Sequence, residues 1–404
     1  MALNNLLPDS ADSDFISKAQ RKDRKENHPA KRSLTPGKII RRTLLVLVTL
    51  VLCLAVSLIA AVYTLINGKC EPLRDRLVLS AMQASATKWL PGLFLPQSTV
   101  DKIVANSHVV NTDVMSLEEY AALNAKTDEQ AEDEWADAID GMLLETVTGS
   151  TFTGYVLLVK DPSRVFVGTS SDFTQGRVGM KIFDIAKKEN AVAVINAGEF
   201  ADPGGQGTGN NPMGLTYSRG KCVWNDSLRR TFIGFDGDNK LVVTEPMDKK
   251  TAETLKIRDG VSFQNGNVLI TNDESGNVTM HYADSNTGTA QRTAIGQRAD
   301  GTVILLVTDG RSASSLGATR NDVIDVMVKY GAVSAGMLDG GSSSLMYYED
   351  YYTKYGYDES TLDEYQKMGL VNRYKAFTTP RRMPTYICVA ALAETSEEGG
   401  EAHE

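Results

Sequence analysis

Residues Leu44–Ile66 run for 23 positions without a charge. At ~1.5 Å per residue this is roughly 34 Å of helix, enough to cross the hydrocarbon core of a bilayer. Such a run divides the chain into two sides that must fold separately. Before it, residues 1–42 carry ten Lys or Arg against five Asp or Glu, including the pair Arg41-Arg42. The whole chain has a net charge of −9, so the residues after position 42 carry −14. A basic flank on one side of the span places the N-terminus in the cytoplasm and the acidic bulk outside. A cleaved signal peptide is the rival reading. The run is long for one, and no small-x-small cleavage site follows it. Lys69 before Cys70 argues against a lipoprotein. We therefore expect a single-pass cell-membrane anchor with an extracellular C-terminal domain.

The expected organisation is a basic, polar tail over 1–43, a transmembrane helix over 44–66, a helical stem over 67–150, a catalytic-type domain over 151–392 and an acidic tail over 393–404. In the stem, Leu77–Lys88, Ser98–Asn106 and Ser116–Asp140 have helical spacing, and Ser116 with Glu119 fits a capping box. After Gly154 the pattern changes. Short apolar runs recur between Gly, Asp and Asn, among them Ala191–Ile195, Arg230–Phe235, Val303–Thr308, Val333–Leu338 and Thr385–Ala390. Helical stretches are fewer, Lys181–Asn190 and Asn321–Tyr330. The fold class is α+β, strand-rich, with a few helices. Residues 348–380, rich in Tyr and charge, read as a surface excursion.

Four segments place polar groups at strand ends. Ser334–Tyr347 reads as a strand, a polar turn Asp339-Gly340-Gly341-Ser342-Ser343-Ser344, and a second strand. Bare glycine backbone lets N–H groups approach a ligand, with Asp339 at the mouth; an ordinary hairpin with a capping Asp fits the same residues. The run Ala191–Ile195 leads into Asn196-Ala197-Gly198-Glu199-Phe200 and a Gly/Asn loop through Asp202 to Gly214, longer than most connections. The others are Gln291–Gly296 with Arg292, and Thr308-Asp309-Gly310-Arg311. Together they supply carboxylates (Glu199, Asp202, Asp309, Asp339), guanidiniums (Arg292, Arg311) and free amides. Arginine and exposed amides bind phosphate oxygens. Two carboxyls facing one bond are the equipment of glycoside hydrolysis.

The acidic exterior excludes nucleic acid as a partner. Of four histidines only His281 falls within the domain, so a Ser-His-Asp triad built on Ser342–Ser344 lacks its base. No His/Cys cluster has zinc spacing. A divalent cation, Ca or Mg, held by Asp339, Asp309 and carbonyls has no recognisable ligand loop behind it, and no cofactor is expected. Cys222 and Cys388 read as two free thiols in strands rather than a disulfide.

The ordered set Asn-x-Gly-x-Phe (196–200), Asp-Pro-Gly (202–204), Pro-x-Gly (212–214), Arg-Thr-Ala-x-Gly (292–296), Asp-Gly-Arg (309–311), Gly-Ala-Thr (317–319), Leu-Asp-Gly-Gly-Ser-Ser (338–343) and Arg-x-x-Pro-Thr (381–385) resembles the phosphodiester glycosidase domain family from Gly154 to Ala390. The resemblance implies hydrolysis of a sugar-1-phosphodiester, with a phosphate-containing cell-envelope glycan or exopolysaccharide as partner. By motif, Asn196 and Gly198 would shape the substrate loop, with Asp202 beside them. Arg292 and Arg311 would hold phosphate, with Gly310 between Arg311 and the acid. Asp309 and Asp339 would be the catalytic carboxyls, and Gly340, Gly341, Ser342 and Ser343 would line the anion-binding turn. The family loop has consecutive glycines where this chain has Ala197-Gly198-Glu199. Glu199 there would repel phosphate, supply an acid or change the substrate. The altered loop also suits a second class, a non-catalytic anionic-polysaccharide-binding or assembly factor.

Overall fold

The computed structural model describes residues 36–67, 71–82, 87–106, 110–123, 134–170, 173, 177–203, 207–283, 288–310, 312, 315–373 and 379–392. Two units emerge, Met1–Val62 and Tyr63–Glu404. The first holds most of an apolar helix, Pro36–Asn67. It starts earlier than the uncharged run because Pro36 suits the first helical position and Arg41-Arg42 continue the helix. Its span Gly37–Thr64 is long and apolar enough to cross a membrane, and large side chains such as Leu54 and Leu58 are exposed. This is the form of a signal anchor or a signal peptide.

The second unit is a strand-rich α+β body. In chain order its strands are β1 (Val110–Ser116), β2 (Met142–Thr148), β3 (Thr153–Val159), β4 (Val165–Thr169), β5 (Ala191–Asn196), β6 (Leu215–Ser218), β7 (Lys221–Asn225), β8 (Arg230–Phe235), β9 (Leu241–Met247), β10 (Asp259–Phe263), β11 (Val268–Asn272), β12 (Asn277–Ala283), β13 (Thr293–Arg298), β14 (Val303–Thr308), β15 (Ala332–Leu338), β16 (Met346–Tyr348) and β17 (Thr385–Ala390). Among the described residues they form three antiparallel sheets. An eight-stranded sheet runs β1-β12-β11-β15-β13-β14-β3-β2, a five-stranded sheet β7-β6-β10-β8-β9, and a four-stranded sheet β16-β5-β17-β4.

β14 and β15 are buried along their whole length, so both their faces are covered. Helix Arg320–Lys329 packs against β15 and β12, while β15 and β11 also meet β9 of the five-stranded sheet. At Gly336 in β15 an added Cβ would lie 2.7 Å from Ile233 Cγ1 of β8, so the two sheets touch where a side chain is missing. Ile233 and the β15 residues Ala335 and Met337 belong to one buried apolar cluster. Helix Ile182–Glu189 covers β5 and β17 and closes a second apolar cluster around Tyr386 and Leu345.

The segment expected to be a wholly helical stem is mixed. Helices Glu71–Met82 and Gln97–Asn106 share a small core of Val78, Leu79, Val100 and Ile103. Beyond them, β1 and β2 are the outer strands of the eight-stranded sheet. Ser116 does cap with Glu119, but the helix it opens is short, Leu117–Leu123, rather than reaching Asp140. Val110–Ser116 pairs residue for residue with β12, and this long-range ladder outweighs the helical spacing that follows it. Cys53, Cys222 and Cys388 are free thiols.

Candidate functional site

The site lies where strands of two sheets end together. Thr293, the first residue of β13, pairs with Leu338 at the end of β15 and with Val307 near the end of β14. Asp339 and Asp309 therefore leave the eight-stranded sheet at one edge, on either side of β13, roughly 10 Å apart by two strand spacings. The Asp339 turn is not a hairpin. β15 belongs to the eight-stranded sheet and β16 to the four-stranded one, so the chain changes sheets through a 3₁₀ turn at Gly341–Ser343.

Asn196 ties that crossing together. It is fully buried, its Nδ2 donates to the Asp339 carbonyl at 2.6 Å, and its Oδ1 accepts from Thr293 Oγ1 at 2.8 Å and from the Leu345 amide at 3.1 Å. These three bonds join β5, β13 and the turn. The Asp339 N–H donates to the Ala197 carbonyl at 3.0 Å, which lays the turn beside the 196–202 loop. Gly198 passes against β10, where a Cβ would lie 2.9 Å from the Ser262 carbonyl oxygen, and its N–H donates to Thr385 Oγ1 at 3.2 Å. The Glu199 N–H then donates to that same Ser262 oxygen at 2.9 Å.

Three carboxyls and an arginine meet on this frame. Arg381, just before β17, contacts Asp202 Oδ1 at 2.8 Å and Ser342 Oγ at 3.4 Å, and its guanidinium lies 5.1 Å from the Phe200 ring centre. Burial pushes Asp339 up to about 7, with the Glu199 charge adding to it; the Ser343 hydroxyl, the Arg381 charge and the Gly340 N–H oppose. Burial also raises Glu199, against Arg230 and Gln264. Arg230 Nε is 3.3 Å from Glu199 Oε2 but poorly aligned, so neither buried atom has a hydrogen bond among the described residues. Burial acts upward on Asp202 too, yet the Arg381 contact and the Gly207 N–H hold it below the usual carboxylate range. Gly341 adopts φ 62°, and the space a Cβ would take there is open, so bare backbone faces the site.

Asp309 stands apart. It is buried among Tyr155, whose hydroxyl donates at 3.3 Å, and the Arg373 N–H at 2.8 Å; burial pushes it up to about 6. Its turn is linked to the Asp339 turn through Gln291, which donates to the Gly310 carbonyl at 3.1 Å and accepts from the Gly341 N–H at 2.9 Å, and through Asn372, beside Arg373, which donates to the Ser344 carbonyl at 3.1 Å. Arg292, expected to hold phosphate, is buried and donates to the carbonyls of Ala318 at 3.0 Å and Gly288 at 2.6 Å. Arg311 lies outside the described residues. Arg381, Arg230 and Gln264 were not among the expected site residues; only Arg381 carried a signal, in the Arg-x-x-Pro-Thr element. Among the described residues no cluster of three or more His, Cys, Asp or Glu is placed to hold a metal ion.

The profile of the phosphodiester glycosidase family matches residues 189–390, which include Asn196, Glu199, Asp202, Asp309, Asp339 and Arg381. The chain belongs to the phosphodiester glycosidase family. This phosphodiester glycosidase homologue is 28% identical over 191 residues to the SPbeta prophage-derived uncharacterized protein YomE of Bacillus subtilis (strain 168), covering 46% of this chain. It spans 27% of that relative's length. Among solved structures it is similar to the zebrafish N-acetylglucosamine-1-phosphodiester alpha-N-acetylglucosaminidase catalytic domain auto-inhibited by its pro-peptide, with a TM-score of 0.45 and 17% identity over 71% of this chain and 90% of that one. A protein from Synechocystis gives a TM-score of 0.41 and 14% identity over 62% of each chain.

Proposed function

We propose that this family member is a membrane-tethered hydrolase of a glycosyl phosphodiester, working outside the cytoplasm on a phosphate-bearing envelope glycan. The observation that carries the reading is the convergence of Asp339, Glu199 and Arg381 on one turn of bare backbone. Asp339, pushed up to about 7, holds a proton near neutrality. Glu199 lies within range of its charge, on a loop pinned to β10. Water adds to the anomeric carbon while the bond from that carbon to the phosphate oxygen breaks. Glu199 takes the proton from water and Asp339 gives one to the departing phosphate oxygen. The products are a free sugar and a phosphomonoester, and a proton passed back through solvent resets the pair. Arg381 and Ser342 stabilise the charge that grows on phosphate. The apolar helix and its basic flank support the tethered, N-in arrangement.

The test uses the full chain in detergent with a series of aryl and nucleotide-linked sugar-1-phosphodiesters, measuring released sugar. Glu199→Gln and Asp339→Asn should each lower turnover by about 10²–10⁴-fold. Activity should fall as pH rises through about 7, because Asp339 then loses the proton it donates. Absence of release from every sugar by a folded sample defeats the hydrolase reading. Binding of the same compounds without release supports the anionic-glycan-binding alternative.

A further inference from the structure

Three arginines near the site differ in what their guanidiniums hold. Arg292 donates to the Ala318 and Gly288 carbonyls, and Arg381 contacts Asp202 and Ser342. Arg230, the first residue of β8, stands 3.3 Å from Glu199 Oε2 through its Nε, and its side chain is 27% exposed. That Nε is buried without a hydrogen bond, and among the described residues Nη1 and Nη2 make none either. A planar fork of donors beside Glu199 is thus unspent, and such a fork matches the two oxygens of a carboxylate or phosphate.

The loop that carries Glu199 also positions this arginine. The Met213 N–H donates to the Glu199 carbonyl at 2.9 Å, and the next residue, Gly214, lies against Arg230. A Cβ on Gly214 would be 3.2 Å from Arg230 Cγ and 2.5 Å from Ser262 Cβ. Gly214 also adopts φ 78°, so the loop end needs glycine where the arginine stem passes it. Arg381 precedes β17 of the four-stranded sheet and holds Ser342 of the Asp339 turn. Arg230 opens β8 of the five-stranded sheet and meets Glu199 instead.

In the displacement proposed above, the water that Glu199 activates reaches the anomeric carbon from the face opposite the departing phosphate. The phosphate then belongs to the Asp339 turn, and a guanidinium beside Glu199 stands on the sugar's side of the breaking bond. We propose that Arg230 binds an acidic group carried by the sugar itself, a carboxylate or a second phosphate, so that the substrate is a glycosyl phosphodiester of an anionic sugar; this rests on the function proposed above.

The test is calorimetric binding to the full chain in detergent of three sugar phosphates that differ only at C6: glucose 1-phosphate, glucuronic acid 1-phosphate and glucose 1,6-bisphosphate. Wild type should bind one of the two acidic sugars about tenfold more tightly than glucose 1-phosphate, the worth of one hydrogen bond to a charged group. Which of the two is preferred identifies the acidic group as carboxylate or phosphate. Arg230→Gln should abolish the preference. Arg230→Lys keeps the charge beside Glu199 but not the fork, so it should reduce the preference in a protein that still folds. Arg381→Gln should weaken all three ligands together. Equal affinity of wild type for the three, binding of none of them, or a preference undiminished in the Arg230 variants would each overturn the proposal. A preference that depends on Arg230, with no sugar released from the matching aryl phosphodiesters, would leave it standing and count against hydrolysis instead.

Discussion

Replacing Asp339 by Asn should make the protein relatively more stable as pH rises, and the effect can be sized. Burial raises this carboxyl from an ordinary value near 3.8 to about 7. A group whose folded value is raised binds its proton more tightly in the native state, so its contribution is full below the unfolded value and is lost as pH climbs through the folded one. Each pH unit inside that window removes up to ~1.4 kcal/mol, so from pH 5 to pH 8 the wild type would lose at most ~3 kcal/mol through Asp339. Asp339 is partly exposed, and solvent access reduces this to about 1–2 kcal/mol. Asn keeps one carbonyl oxygen for the Ser343 hydroxyl and the Gly340 N–H but carries no charge. Other titrating groups cancel in the comparison of wild type with Asp339→Asn. The assay is urea or thermal unfolding of both proteins at pH 5 and pH 8. The stability of Asp339→Asn relative to wild type should improve by that amount at the higher pH, while its turnover is lost at both. A relative stability that does not change with pH, or changes in the opposite direction, would refute the reasoning. It would mean that Arg381 and the hydrogen bonds keep Asp339 ionised, which removes the acid from the proposed chemistry.

Two further substitutions separate holding the site from using it. Asn196→Ala strands the Leu345 N–H and the Asp339 carbonyl, while the Thr293 hydroxyl keeps Ser344 Oγ; at about 1–3 kcal/mol for an unsatisfied buried group it should cost ~3 kcal/mol in urea unfolding. Arg381→Lys keeps the charge but cannot span Asp202 Oδ1 and Ser342 Oγ together, so it should raise KM for a phosphodiester about tenfold with little change in the unfolding midpoint.

Strand positions were legible where burial on both faces leaves no alternative. Val303–Thr308 and Thr385–Ala390 are strands over those very residues, because continuous β-branched and apolar runs of that length can only be satisfied inside packed sheets. β1 was not legible. Its residues, Val-Asn-Thr-Asp-Val-Met-Ser, form an outer strand whose partner β12 lies far along the chain, and nothing local announces that ladder. The same limit governs the site. Asp309 and Asp339 each follow a buried strand and each precede a glycine, so their sequences promise equal roles. The intervening strand β13 gives one a tyrosine-lined niche and the other a mouth shared with Glu199 and Arg381. Asn196 and Arg292 show the converse. A polar residue at a strand end reads as a ligand contact whether its donors meet substrate or protein carbonyls, and only the tertiary hydrogen bonds decide. Arg381 was visible only as part of a pattern, because its partner Asp202 lies on another loop. Residue types therefore name the polar groups available here, whereas which of them lie together follows from which strand ends the sheets bring side by side.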